Sequence, residues 1–118
     1  MSTTLVHATV VWEVSSINTT SPVQTATKID NQSASSTPLG ASITTSATGE
    51  FVVATTVVAN SVTGIHAGNA FTNDRFTNGN GFAHLTSNTA SAGTYQAQWD
   101  QSSSGAYCSS SAAFYAAP

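Results

Sequence analysis

The chain has 118 residues, of which only two are basic and five acidic, so 6% of the side chains are charged and the formal net charge is −3. Ordinary globular domains carry about 25% charge, and so sparse a set excludes nucleic acid and anionic membrane surfaces, which need several Lys or Arg acting together. Low charge with 40% apolar residues also argues against disorder, and no apolar run approaches the roughly 18 to 20 residues of a bilayer-spanning helix.

Ser and Thr stand where charge would be, with 18 and 19 copies. A hydroxyl surface suits contact with other surfaces, with sugars or with copies of itself. Ten Val and four Ile against three Leu favour strands, because β-branched side chains lose rotamer freedom in a helix and pack well on a pleated sheet. The expected fold is all-β, an antiparallel sandwich of jelly-roll or immunoglobulin-like type with seven to eight short strands. It forms one domain over residues 1–118, the alternative being a half module completed by a second copy.

The start, MSTTLVHATVVWEV, has no basic n-region of the kind a signal peptide needs, so a secreted form implies a leader removed or replaced by Met1. From residue 6, Val6, Ala8, Val10, Trp12 and Val14 alternate with His7, Thr9 and Glu13, the pattern of a half-buried strand. So apolar a strand at the head of the sequence needs a cover, which points to pairing with another chain. Val6, Val10, Trp12 and Val14 are therefore the candidate self-association residues.

Further strands are expected at 23–29, 40–46, 50–59, 69–76, 82–87, 93–99 and 106–116, separated by Ser, Thr, Gly and Asn turns. The run 50–59 is apolar on both faces and should be central and covered on both. In the last strand Cys108, Ala112 and Phe114 alternate with Tyr107, Ala113 and Tyr115, which favours exposure of the two tyrosines.

Three stretches, VWEVSSINTTSPVQTAT, SITTSATGEFVVATTVV and TASAGTYQAQWDQSSSGAYCSSSAAFYAA, resemble the C-terminal half of a β-sandwich module found in low-charge secreted proteins of soil bacteria. That family has a corner before a TSP loop, a hydroxyl-rich hairpin, and a closing Trp strand, SSSG turn and AAF strand. The likeness covers nearly the whole chain and about half of the usual module, and the corner departs from the family in reading EVSSIN. It implies an extracellular or cell-surface location and no established catalytic residues.

Chemistry is thinly represented. His7, His66 and His84 show no local ligand spacing, so strand-borne surface histidines are the simpler reading than a metal site. Asp74, Asn78 and Asn80 have the composition of a calcium loop, against the commoner reading of an Asn-Gly hairpin turn. Glu13 and Glu50 are the candidate carboxylate pair for glycoside hydrolysis, no serine lies in a nucleophile elbow, and Cys108 is the lone cysteine. Asn18 and Asn31 begin glycosylation sequons that matter only in a eukaryotic secretory path.

Among the aromatics, Tyr95, Trp99, Tyr107 and Tyr115 are candidate stacking residues for sugar rings, with core packing the stronger reading for Trp12 and Trp99. The leading functional expectation is a non-catalytic, self-associating structural or adhesive module without catalytic residues, cofactor or metal. A carbohydrate-binding module using exposed tyrosines is the alternative, and a metal-dependent or hydrolytic enzyme on polysaccharide the remote one.

Overall fold

The computed structural model describes residues 9–77 and 79–118. Among them are nine strands and no helix: β1 (Val23–Ser35), β2 (Ile43–Thr45), β3 (Phe51–Val58), β4 (Val62–Ile65), β5 (Phe71–Thr77), β6 (Asn80–Leu85), β7 (Gly93–Tyr95), β8 (Trp99–Gln101) and β9 (Gly105–Phe114). Among the described residues no helix is long and apolar enough to cross a membrane, which leaves β-barrel insertion unaddressed.

The fold is an antiparallel β-sandwich. One layer is a five-stranded sheet in the order β1-β9-β3-β6-β5. In the other, residues 93–101 form the spine. β2 pairs with β7 and β4 with β8, and between these pairings Gly40 N–H donates to Ala97 O at 2.7 Å and Trp99 N–H to Pro38 O at 3.0 Å.

The strand β3 is central, as its sequence implies, but its faces differ. Val52, Ala54 and Thr56 are buried, whereas Phe51, Val53 and Thr55 on the opposite face are half-buried and Val57 is exposed. The buried face meets the second layer in a core of Ile43, Val52, Ala54, Val62, Phe71, Ala83, Leu85, Ala97, Trp99 and Ala113. Gly81 lies under the Trp99 indole so closely that a Cβ there would sit 2.7 Å from Nε1. Only glycine lets β6 pass beneath that ring.

The layers are also tied by hydroxyls. Ser109 Oγ donates to Leu39 O at 2.7 Å and Ser111 Oγ to Ala41 O at 2.8 Å, so carbonyls of the second layer that face the core are satisfied without water.

Several expectations need correction. The strand expected from residue 6 to 14 does not form over the described part, residues 9–14; Val6 and His7 lie outside the described residues. Residues 10–17 instead cross the outer face of the five-stranded sheet, where Trp12 and Val14 share a hollow with Phe51, Val53 and Phe114. A segment lying over a face finds no backbone ladder to join. The strand β4 was not anticipated, the expected strand 93–99 is split between β7 and β8, and β1 runs six residues past its expected end at 29.

The alternation in β9 is the reverse of the one its apolar residues suggest. Ser109, Ser111 and Ala113 face inward and are buried, while Cys108, Ala112 and Phe114 face outward. Tyr107 and Tyr115 have the inward parity and are half-buried. The reason is the close approach to residues 39–41, which small hydroxyl side chains permit and larger apolar ones would not.

Candidate functional site

The outer face of the five-stranded sheet is the part of the molecule that is neither core nor plain surface. Its middle is a row of rings: Phe51 lies 6.3 Å from Phe114 and 6.0 Å from His84, centroid to centroid. These sit on β9, β3 and β6 at facing positions, since Phe51 pairs with Phe114 and Val53 with both Ala112 and His84.

Across this row runs the strap formed by residues 10–17. Beneath and beside it are two adjoining hollows of about 410 Å³ each. One is apolar, lined by Trp12, Val14, Ile17, Pro22, Phe51, Val53 and Phe114. The other shares Trp12, Val14 and Phe51 but adds Glu13, Ser15, His84, Thr86 and Asn88.

The strap is pinned at one polar point. The alternation of β5, with Phe71 and Asn73 inward, turns Asp74 to the outer face, and a register slip of one residue between Asn73 and Arg75 leaves it without a partner on β6. There its Oδ2 accepts from Trp12 Nε1–H at 2.8 Å and its Oδ1 lies 2.7 Å from His84 Nδ1. A carboxylate oxygen accepts, so in this contact Nδ1 of His84 is the donor.

The other end of the strap is anchored through its backbone. Ile17 bridges Ala116, Ala117 N–H donates to Ser16 O at 2.7 Å, and Asn18 N–H donates to Tyr115 O at 3.0 Å. Ser16 itself has φ of 59°, the left-handed region in which a side-chain-bearing residue is strained by about 1 to 2 kcal/mol. Among the described residues, no backbone–backbone hydrogen bond ties residues 9–15 to the sheet.

Around the strap the face is open. Val11 is 85% exposed, Val23 55%, Val57 54% and Val14 37%. Cys108, half-buried, shares a shallow hollow with Lys28, Asp30 and Val57. Lys28 Nζ donates to Asp30 Oδ2 at 2.7 Å, and that hydrogen bond and charge raise the ammonium above its ordinary pKa of 10.5.

The residues singled out from sequence for sugar stacking are not brought together. Trp99 is wholly buried, its indole donating to Asn73 Oδ1 at 3.2 Å, so it offers no face to a ligand. Tyr107 and Tyr115 are eight residues apart, about 26 Å at the rise of a β-strand. Tyr95 lies in the other layer, its hydroxyl donating to Ser91 O at 2.8 Å. Of the self-association set, Val10 and Trp12 are half-buried and Val14 is exposed.

The remaining candidates are also dispersed. Glu50 is wholly buried, with Oε1 accepting from Ala47 N–H at 3.1 Å and Ser46 Oγ–H at 3.3 Å and Oε2 without a partner. Glu13 is exposed on the strap, so the two carboxylates do not face each other across a cleft. His66 pairs with Asp100 at 2.6 Å in the second layer, away from the His84–Asp74 pair. Asp74 is committed to Trp12 and His84, Gly79 makes the β5–β6 turn at φ of 83°, and Asn78 lies outside the described residues. Among the described residues, no group of three or more His, Cys, Asp or Glu side chains converges.

Sequence reasoning named Trp12 and Asp74 separately and missed their contact. The signal it lacked is the path of residues 10–17, because the alternation of β5 places Asn73 inward and Asp74 outward without revealing that a second tryptophan crosses the outer face. No family model, curated protein or solved structure matches the chain.

Proposed function

We propose that this protein is a non-catalytic adhesive or structural β-sandwich module that acts outside the cell and associates with copies of itself through the outer face of its five-stranded sheet. The observation that carries this reading is the set of exposed valines on the outer face and its strap: Val11, Val14 and Val23 toward the ring row, and Val57 at the opposite end of β3 beside Cys108. Exposed large apolar side chains sharing one sheet face are what contact with a partner would cover.

A second copy suits it for two reasons. With two basic and five acidic side chains in the whole chain, like-charge repulsion between copies is small. The Lys28–Asp30 pair on the same face is self-complementary about a two-fold axis, each charge meeting its opposite. A five-stranded sheet face is roughly 20 by 26 Å, so face-to-face contact approaches the lower end of stable interfaces. Location outside the cell is supported by the hydroxyl-rich, low-charge composition.

The test is the molar mass by light scattering across a dilution series, for the native protein and for Val57→Lys and Val23→Lys. The reading expects a native assembly of two or more copies at micromolar concentration, shifted to single chains by either lysine. Single native chains throughout would overturn it.

One observation favours a second reading, polysaccharide binding. The Trp12 ring stands between an apolar hollow and one lined by His84, Asn88 and Glu13, a pairing of ring and polar groups that suits sugar stacking. It moves the expected sugar site from the tyrosines to Trp12. Retention on insoluble polysaccharide that is lost in Trp12→Ala supports it, and absence of retention rejects it.

A further inference from the structure

We infer that the copies associate by exchanging their straps: residues 9–15 of each chain leave their own sheet and seat on the outer face of the other, with Ser16 as the hinge. This rests on the self-association reading and gives it a mechanism.

Three observations converge. The strap is held by side chains, through Trp12 and Val14 over Phe51, Val53 and Phe114 and through the Trp12–Asp74 hydrogen bond, with no backbone–backbone hydrogen bond to the sheet among the described residues. Every one of those contacts can be remade identically by the strap of a second copy, so exchange loses nothing at the seat. What covers the face is thus already known, since the complementary segment is the chain's own.

The second observation is the hinge. Ser16, with φ of 59°, joins the strap to the Ile17–Ala116 bridge that anchors it to the body. Folding the strap back requires this left-handed residue; extending it toward a neighbour releases the strain. A short strained hinge is the arrangement that invites exchange.

The third is the strap's own sequence. VVWEV leaves Val11 85% exposed and keeps the alternation of a strand without a partner strand. In an exchanged pair the two extended straps run antiparallel past one another near the two-fold axis, and Val11 gains cover that the single chain does not give it.

The hinge makes the inference testable. Proline holds φ near −65° and cannot adopt the folded-back form, so Ser16→Pro should drive the protein to dimers. Glycine occupies positive φ without strain, so Ser16→Gly, which removes the strain released at both hinges, should weaken dimerisation by about a hundredfold. Trp12 emission should stay as in the native protein in both, because the indole is seated either way. A complementation pair guards against misfolding of the proline variant. Trp12→Ala has a defective strap and an intact seat, Phe51→Ala the reverse. Mixed, they should form heterodimers that retain one native seat and are more stable than either variant's own dimer.

A native dimer whose dissociation constant is unchanged in Ser16→Gly and Ser16→Pro, with no preference for heterodimers, would overturn strap exchange and leave face-to-face adhesion standing. Single chains in the native protein and in Ser16→Pro alike would overturn both.

Discussion

The two tryptophans sit on opposite faces of the same sheet, and neighbouring residues of β5 hold them. Asn73 accepts from Trp99 on the inner face and Asp74 from Trp12 on the outer. The inner ring is wholly buried and surrounded by core; the outer one is half-buried on a strap beside open hollows. The inner hydroxyls of β9 are bonded to carbonyls of the second layer, whereas on the outer face Ser110 is exposed and bonds only its neighbour Thr55 at 2.8 Å. One sheet thus carries a finished face and an unfinished one, and the unfinished face is where function is to be sought.

Substitutions matched across the sheet sharpen this contrast. The largest effect belongs to Trp99→Ala, which should lower unfolding free energy in urea by about 3 to 5 kcal/mol, as for large aromatic residues deleted from a core. Trp12→Ala should cost only about 1 to 2 kcal/mol, because a half-buried ring removes less apolar area from water. Equal losses would mean that the outer ring is as integral as the inner one.

Next come the hydroxyls. Ser111→Ala leaves Ala41 O without its donor and should cost about 1 to 3 kcal/mol, the penalty of an unsatisfied buried acceptor. Ser110→Ala on the outer face should stay within about 0.5 kcal/mol. Both are read from the same denaturation curves, and a costly Ser110→Ala would contradict the division of faces.

A smaller change is expected at the pin. Asp74→Ala removes both acceptor oxygens, so neither Trp12 Nε1–H nor His84 Nδ1 keeps its partner. The expected cost is about 1 kcal/mol, with a red shift of Trp12 emission as the strap loosens; unchanged emission would show that side-chain packing alone seats the ring.

Smallest of all is Lys28→Met. The raised pKa of Lys28, caused first by its hydrogen bond to Asp30, means that its stabilisation is complete below 10.5 and disappears as pH climbs through the folded value. Because the group is fully exposed, melting temperatures of Lys28→Met and the native protein should be indistinguishable at neutral pH.

Much of the fold is legible in the chain. Phe51–Val58 reads as a central strand because it is apolar on both faces, and it is central. Trp99 reads as core from its alternation with Ala97, and both are wholly buried. The strand β4 escaped because VTGI has one fully buried side chain, Val62, and a glycine in a stretch that breaks the ladder. The faces of β9 do not follow its apolar residues, because close packing against residues 39–41 demands serine on the inside.

The site was less legible for a related reason. VVWEV has the alternation of a strand, but whether a strand forms depends on a free backbone edge, and residues 10–17 lie over a face. Asp74 reads as part of a turn, and what brings it to Trp12 and His84 is its outward place on β5 together with the path of the strap. Such contacts depend on register, which composition and alternation do not encode.

The central claim is that the outer face makes the intermolecular contact while the inner face does not change. Valine methyl resonances followed by NMR over a dilution series test it directly, since the valines sample both faces. The account predicts that Val11, Val14, Val23 and Val57 shift together with concentration while Val52 and Val62 stay fixed. Concentration-independent spectra for all six, or equal shifts on both faces, would contradict it.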